Sequence, residues 1–224
     1  MFVSSSMTSK VISISENLTL ESAKEIMNEK KIRHLPVVDD DQKLIGIVTD
    51  RDLRSALPDS QVEVCLKKEC MEAIKNKPVK EIMTKNPHTI SPAFTIQDAL
   101  LLFERHKVGA FPVVDDNGKL KGIISVRDLL RAFVNVLGIG EPGTLLCILV
   151  EQKIGQMKKI VDAITEEHIS FGSILVARYW EEGKRAVFPY LLTNNVSRIK
   201  KKLEGMGYTL LEPMKWYLDQ LPKQ

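Results

Sequence analysis

Short apolar runs, bounded by polar turn-forming residues, alternate along this chain with stretches whose apolar positions recur at helical spacing. Residues 35–38 (Leu-Pro-Val-Val) and 44–49 (Leu-Ile-Gly-Ile-Val-Thr) are the length of strands and are separated by an acidic turn. A β-prone stretch at 11–14 leads to Thr19, and another at 88–90 leads to Thr95. Either hydroxyl can accept from the free amides of a helix start. Behind Thr95, the residues Ala99, Leu100, Leu102 and Phe103 supply an apolar helix face, and Asp98 completes a capping box with Asp in place of Glu. A second helix follows residues 44–49, so the pattern predicts the order βαββα.

That order occurs twice, because the chain repeats itself. Leu35-Pro36-Val37-Val38-Asp39-Asp40 returns as Phe111-Pro112-Val113-Val114-Asp115-Asp116, an offset of 76 residues. The same offset carries Met7-Thr8 onto Met83-Thr84, Ile14-Ser15 onto Ile90-Ser91, Gly46-Ile47 onto Gly122-Ile123 and Arg51-Asp52-Leu53 onto Arg127-Asp128-Leu129. In the second copy Asn117-Gly118 has the composition of a tight hairpin turn, since both residues tolerate positive φ. A helical or loop connection is expected over 58–77.

The pattern changes after Gly138-Ile139-Gly140-Glu141-Pro142-Gly143, a break rich in glycine and proline. Strands are predicted over 144–150, 170–180, 185–192 and 208–211, and helices over 155–168 and 195–205. Met157, Ile160, Val161 and Ile164 lie on one side of the first helix. The order βαββαβ is that of a ferredoxin-like domain. The organisation read from these patterns is a first motif at 1–57, a connection at 58–78, a second motif at 79–137, a linker at 138–143, a third domain at 144–213 and a tail at 214–224. The fold class is α+β.

Composition adds exclusions. At 224 residues the chain is long enough for two ordinary domains with real cores, and 44% hydrophobic with 27% charged residues is a globular balance. No apolar run approaches the roughly 20 residues of a membrane span, and the start of the chain has neither the basic nor the apolar part of a secretory signal. A cytoplasmic location is the expectation. Cys65, Cys70 and Cys147 are odd in number and show no paired spacing, which suits free thiols in a reducing compartment. The net charge of +3 is spread along the chain, and the cluster Arg198 with Lys200, Lys201 and Lys202 reads as a solvated helix face. Nucleic acid is therefore not expected as a partner.

With the repeat in hand, both copies resemble CBS motifs, the small module named after cystathionine β-synthase. Ile32-Arg33-His34-Leu35-Pro36-Val37-Val38-Asp39, Ile47-Val48-Thr49-Asp50-Arg51-Asp52 and Asp128-Leu129-Leu130-Arg131-Ala132-Phe133 resemble the bacterial acetoin-utilisation AcuB-type group, in which a CBS pair precedes an ACT-like domain. The resemblance implies two pseudo-symmetric motifs packed sheet against sheet, and a third domain similar to the ACT module.

The ending Gly-x-x-[Thr/Ser]-x-x-Asp has a chemistry of its own. In Gly46 to Asp52 a strand delivers a hydroxyl at a helix start, and one turn later a carboxylate can accept from vicinal hydroxyls. Thr49 with Asp52, and Ser125 with Asp128, are thus candidates for ribose, which is also the role the family gives these positions. Taken singly, each is equally a helix cap. Ile12, Ser13, Ile14, Leu35 and Pro36, and Thr89, Ile90, Phe111 and Pro112, can form two apolar slots for adenine. Arg33, His34 and Arg51 are phosphate candidates at the first site, and Lys107 and Arg127 at the second. The first copy has Arg33-His34 where the second has Gly109-Ala110, so unequal affinities are expected. In the ACT-like domain, Glu151 and Gly155 mark the turn that carries amino acids in ligand-binding relatives, but Ile154 stands where such turns have proline, and dimerisation or partner contact is the preferred reading.

These readings lead to a sensor of AMP, ADP or ATP with no catalytic residues, metal or catalytic cofactor. It is expected to act as a homodimer, or on a partner enzyme, without membrane or nucleic acid. The enzyme alternative lacks a nucleophile elbow, a phosphate loop and a zinc-binding His-Glu-x-x-His. A DNA-binding regulator would need a helix-turn-helix that the remaining sequence does not supply, and a scaffold with empty clefts is the third alternative.

Overall fold

The computed structural model describes residues 1–57 and 68–212. Cys65, Trp216 and Tyr217 lie outside the described residues. The chain divides into two compact units, Met1–Leu130 and the part from Arg131 onward.

The first unit holds both copies of the repeat. After a short helix Val3–Ser6 (α1), Ile14–Ser15 (β1) runs parallel to His34–Val38 (β2), which is antiparallel to Leu44–Thr49 (β3). Helix Leu20–Lys30 (α2) starts at Thr19, whose hydroxyl accepts from the Ser22 amide, and stops at Lys31, which takes the left-handed conformation with φ 54°. Asp50–Ala56 (α3) closes the copy. Lys68–Lys75 (α4) lies in the connecting stretch, followed by a 3-10 turn at Val79–Glu81 and by Thr84–Lys85 (β4). Helix Ile96–His106 (α5), strands Ala110–Val114 (β5) and Leu120–Ser125 (β6), and helix Val126–Leu137 (α6) then reproduce the first copy. The expected capping box is present: the Asp98 carboxylate accepts from the Thr95 amide at 2.9 Å, and the Thr95 hydroxyl accepts from the Asp98 amide at 3.1 Å.

The leading strands are shorter than 11–14 and 88–90 suggest. Pairing involves only Ile14 and Ser15 in the first copy, and in the second a single bridge from Ile90 to Val113.

The two copies exchange their leading segments, which no reading of one copy reveals. Thr84 pairs with Ile47 and Lys85 with Gly46, so the second copy adds a strand to the sheet of the first. In the rotated equivalent, the Thr8 amide donates to the Ile123 carbonyl at 2.9 Å and the Ile123 amide to the Thr8 carbonyl at 3.0 Å. At the hairpin turns Leu44 donates to the Gly118 carbonyl and Leu120 to the Gln42 carbonyl, both at 3.1 Å, as a local two-fold requires. Close approach explains the shared glycines. A Cβ on Gly46 would sit 2.6 Å from the Met83 sulfur, and one on Gly122 would sit 2.6 Å from the Met7 sulfur and 2.8 Å from the Thr8 carbonyl oxygen. A thioether can swing away, whereas a backbone oxygen held in a bridge cannot. Gly122→Val is therefore expected to cost about 1–3 kcal/mol as an overpacking change and to abolish hydrogen-exchange protection of the Thr8 amide, with Gly46→Val milder; urea unfolding with exchange measurements checks both.

The core of the first copy gathers Leu20, Ala23 and Met27 from α2, Leu35, Val37 and Val48 from the hairpin and Leu53 from α3. The equivalent residues of the second copy, Ile96, Ala99, Phe103, Phe111, Val113, Ile124 and Leu129, are buried in the same way.

In the second unit Thr144–Leu145 (β7) and Cys147–Glu151 (β8) both pair antiparallel with Lys184–Leu191 (β10), which also pairs with Phe171–Glu181 (β9). Thr209–Leu211 (β11) joins the free side of β8. The single strand expected over 144–150 is interrupted at Leu146, opposite Pro189, which has no amide to donate. Helices Gln156–Glu166 (α7) and Ser197–Gly205 (α8) pack Ile160, Ile164, Ile199 and Leu203 onto one face of the sheet. The observed order is βαββαβ with sheet order β11-β8-β10-β9. Cys147, between the core residues Leu146 and Ile148, is a buried free thiol, and burial pushes its pKa up to about 11, so it is protonated at neutral pH.

Candidate functional site

A cavity of about 1020 Å³ opens in the first unit, where β3 ends and α3 begins. Thr49 occupies the transition with extended backbone, its φ and ψ at −110° and 160°, which turns its hydroxyl onto the first helical turn. That hydroxyl accepts from the Asp52 amide at 3.3 Å and donates to Asp52 Oδ2 at 2.7 Å, and the same oxygen accepts from the Thr49 amide at 2.8 Å. Both readings of the pair thus meet in one geometry. Thr49 and Asp52 form a capping box, and both line the cavity.

Ser125 and Asp128 repeat the arrangement at the start of α6. Oδ2 of Asp128 accepts from the Ser125 amide at 2.8 Å and from its hydroxyl at 2.6 Å. Asp128 is only 8% exposed and does not line the cavity.

The remaining walls come from both copies. Arg33, His34, Arg51 and Arg54 belong to the first copy, and Lys85, Asn86, Pro87, His88, Lys107, Val108, Gly109, Ala110 and Pro112 to the second. Two sequence-based assignments change as a result. Lys107, expected at the second site, lines the same cavity as Thr49 and Asp52. Arg33-His34 and Gly109-Ala110, expected to distinguish two sites, line this one together, with His34 beside Gly109. Gly109 is small for a local reason, since a Cβ there would sit 3.0 Å from His34 Nε2.

The adenine candidates divide. Pro112 is on the cavity wall. Ile14, Leu35, Ile90 and Phe111 are between 0% and 6% exposed and belong to the hydrophobic core, and Pro36 is buried too. Ile12 and Ser13 are half-buried, Thr89 is exposed, and none of these lines the cavity. Arg127 is exposed in the first turn of α6, outside the cavity.

Sequence reasoning missed Lys85 through His88. The repeated Met-Thr pairs marked the segments involved, but which sheet each joins is decided by the exchange. Asp50, next to Thr49 in the ribose motif, also lines the cavity. It holds Arg54 in an ion pair at 2.8 Å on the exposed rim.

The charge of the site is positive. Among the described residues, five arginine and lysine side chains line it against two carboxylates, Asp50 and Asp52. Burial lowers the pKa of His34, Arg33 lowers it further, and Asp52 and Asp50 oppose the shift. His34 is therefore neutral at pH 7, a hydrogen-bonding group rather than a fixed cation. His88 packs against His106 with ring centroids 3.9 Å apart and planes tilted by 42°. Among the described residues no group of three or more His, Cys, Asp or Glu is placed to hold a metal ion, and no helix is long and apolar enough to cross a membrane.

In the second unit the turn holding Glu151 and Gly155 is fully exposed. Glu151 pairs with Lys153 at 2.6 Å, a contact that lowers the carboxyl pKa, and Gly155 starts α7 with φ 90°.

A duplicated βαββα unit with exchanged segments, enclosing a polar cavity between its copies, defines a paired-repeat binding module. The match to known families is equally direct: residues 3–59 and 79–135 each match the CBS domain, and the chain belongs to the CBS-domain family.

Among curated relatives, inosine-5'-monophosphate dehydrogenase of Aquifex aeolicus is 35% identical over 121 residues, which are 54% of this chain and 22% of that enzyme. A CBS domain-containing protein of Dictyostelium discoideum is 37% identical over 131 residues, 58% of this chain and 90% of that protein. Among solved structures, the CBS-pair protein CBSX2 of Arabidopsis thaliana in complex with AMP is 30% identical with a TM-score of 0.50, and the match covers 59% of this chain and 96% of that one. The CBS domain pair of protein MJ0100, in complex with 5'-methylthioadenosine and S-adenosyl-L-methionine, is 28% identical with a TM-score of 0.50, covering 59% of this chain and 95% of that one. An acetoin utilization protein (AcuB) of Vibrio cholerae is 30% identical with a TM-score of 0.52, covering 63% of this chain and 98% of that one.

Proposed function

We propose that this protein is a regulatory sensor that binds an adenine nucleotide in its CBS pair and passes occupancy to its second unit or to a partner protein. The observation that carries this reading is the convergence of Thr49 and Asp52 with Arg33, His34, Arg51 and Lys107 around one cavity. A hydroxyl–carboxylate pair suits the vicinal hydroxyls of ribose, Pro112 and Ile47 offer an apolar surface to a purine, and the cations suit phosphate. The binding of AMP by one similar structure and of adenosine-containing sulfur compounds by another supports the ligand class. Ser125 and Asp128 form the second, pseudo-symmetric ribose site, beside Arg127.

The second unit is read as an ACT-like domain of ferredoxin-like order, supported by its βαββαβ elements and by the likeness of the CBS pair to an AcuB protein. Its role is association, as a homodimer or with a partner enzyme. Nucleotide binding alters the packing of the two CBS copies, which share the cavity walls, and so changes that association. The coupling is bounded by the difference in ligand affinity between the two arrangements. No chemistry on the nucleotide is part of this reading.

Thermal unfolding with and without AMP, ADP, ATP, NAD and S-adenosylmethionine tests it. A ligand at a hundred times its dissociation constant adds about 2.7 kcal/mol of apparent stability. No shift with any of them would favour the scaffold with empty clefts.

A further inference from the structure

We infer that the Thr49/Asp52 cavity takes an adenosine ligand carrying two or three phosphates in preference to a monophosphate or to a cationic adenosine compound. This rests on the nucleotide-binding reading above and adds to it the chemical class of the ligand. The argument begins with which cations are already engaged. Arg54 is tied to Asp50, and the Oδ2 atom of Asp52 is held by Thr49. Arg33, Arg51, Lys85 and Lys107 are exposed on the cavity wall, with no ion pair or side-chain hydrogen bond to another of the described residues. Four like charges around one cavity repel one another, and an anion seated among them relieves that repulsion. With Asp50 and Asp52 set against five cations, the described lining carries a net charge of about +3; a phosphate monoester brings about two negative charges at neutral pH, so AMP leaves a positive excess that a chain of two or three phosphates removes. S-adenosylmethionine, with a sulfonium and an ammonium against one carboxylate, meets the cluster with charge of the same sign.

The backbone at Lys107 makes a clean test of its charge possible. It ends α5 in the left-handed conformation, φ 51°, where glycine is the favoured residue, yet a long cation occupies it and lines the cavity. Lys31, its counterpart in the first copy, is also left-handed, with φ 54°. Lys85 is placed by a different device, the exchanged strand β4, so the four cations reach the cavity wall from four separate stretches of chain, Arg33 before β2, Arg51 in α3, Lys85 in β4 and Lys107 after α5.

The test is calorimetric titration of the full chain with adenosine, AMP, ATP and S-adenosylmethionine at low and high salt. ATP is expected to bind about tenfold or more tightly than AMP at low salt, with the gap narrowing as salt screens the cations. Lys107→Gly removes a cation without straining the backbone, so its melting temperature should be unchanged or higher, while the preference for ATP over AMP falls about threefold or more. Lys85→Gln should narrow the same preference. Equal affinities for AMP and ATP, or tighter binding of S-adenosylmethionine, would overturn the polyphosphate assignment and leave the nucleoside cleft standing. Failure of all four compounds to bind would remove the cleft reading and this inference with it.

Discussion

Phe111→Ala is expected to lower unfolding free energy by about 3–5 kcal/mol, a large share of the 5–15 kcal/mol typical of a whole domain. The ring is 1% exposed and meets Phe103 edge-on, with centroids 4.7 Å apart. Truncation leaves a void between α5 and β5, and it removes the aromatic surface against which His106 also packs. Sequence reasoning placed Phe111 in an adenine slot, so the variant separates two roles. A core residue moves the urea midpoint and leaves the nucleotide affinity of the folded fraction near its original value. A slot residue would do the reverse, with affinity falling at little cost in stability. Urea unfolding followed by titration under native conditions reads both quantities.

Asp52→Ala should weaken nucleotide binding about 10- to 100-fold, because hydrogen bonds to a charged acceptor contribute roughly 1.5–3 kcal/mol each. Its cost to the fold is smaller. The carboxylate also accepts from the Thr49 amide in the capping box, and loss of a cap costs typically about 1 kcal/mol. Asp52→Asn retains an acceptor for that amide, so it should recover much of the stability while recovering little of the binding. Asp128→Ala reports on the second copy in the same way, with a higher structural cost because Asp128 is buried. If titration curves were unchanged in both alanine variants, neither pair would be a ribose contact and the caps would be caps alone.

The Thr-x-x-Asp and Ser-x-x-Asp spacings illustrate how far local chemistry can be read from a string of residues. A residue that caps a helix interacts with groups three positions away, so its partner is fixed by spacing, and the boxes at Thr49, Thr95 and Ser125 needed no knowledge of the rest of the chain. The strands at 34–38 and 44–49 were equally accessible, because hairpin neighbours are close in sequence. The strand at 144–151 was less so: its interruption depends on Pro189, some forty residues away.

Lys107 shows the opposite case. Sequence order assigns it to the second motif and hence to the second site, yet it shares a cavity with Thr49. Phe111 and Leu35 looked suited to hold a purine, and both strand residues are buried in the core instead, beneath α5 and α2. In each case the deciding partner is a residue of another element, brought near by a contact that leaves no mark at fixed spacing.

From its order of residues alone, this chain determined its duplication, the βαββα elements, the helix caps and the hydroxyl–carboxylate pairs, since all of these follow from interactions over a few positions or from direct self-similarity. Tertiary structure alone decided that Thr8 and Thr84 cross to the opposite sheets, that Gly109 gives way to His34, and that cations from both copies surround one cavity. The physical reason is that close packing and backbone pairing across the local two-fold select among partners that composition and periodicity treat as equivalent.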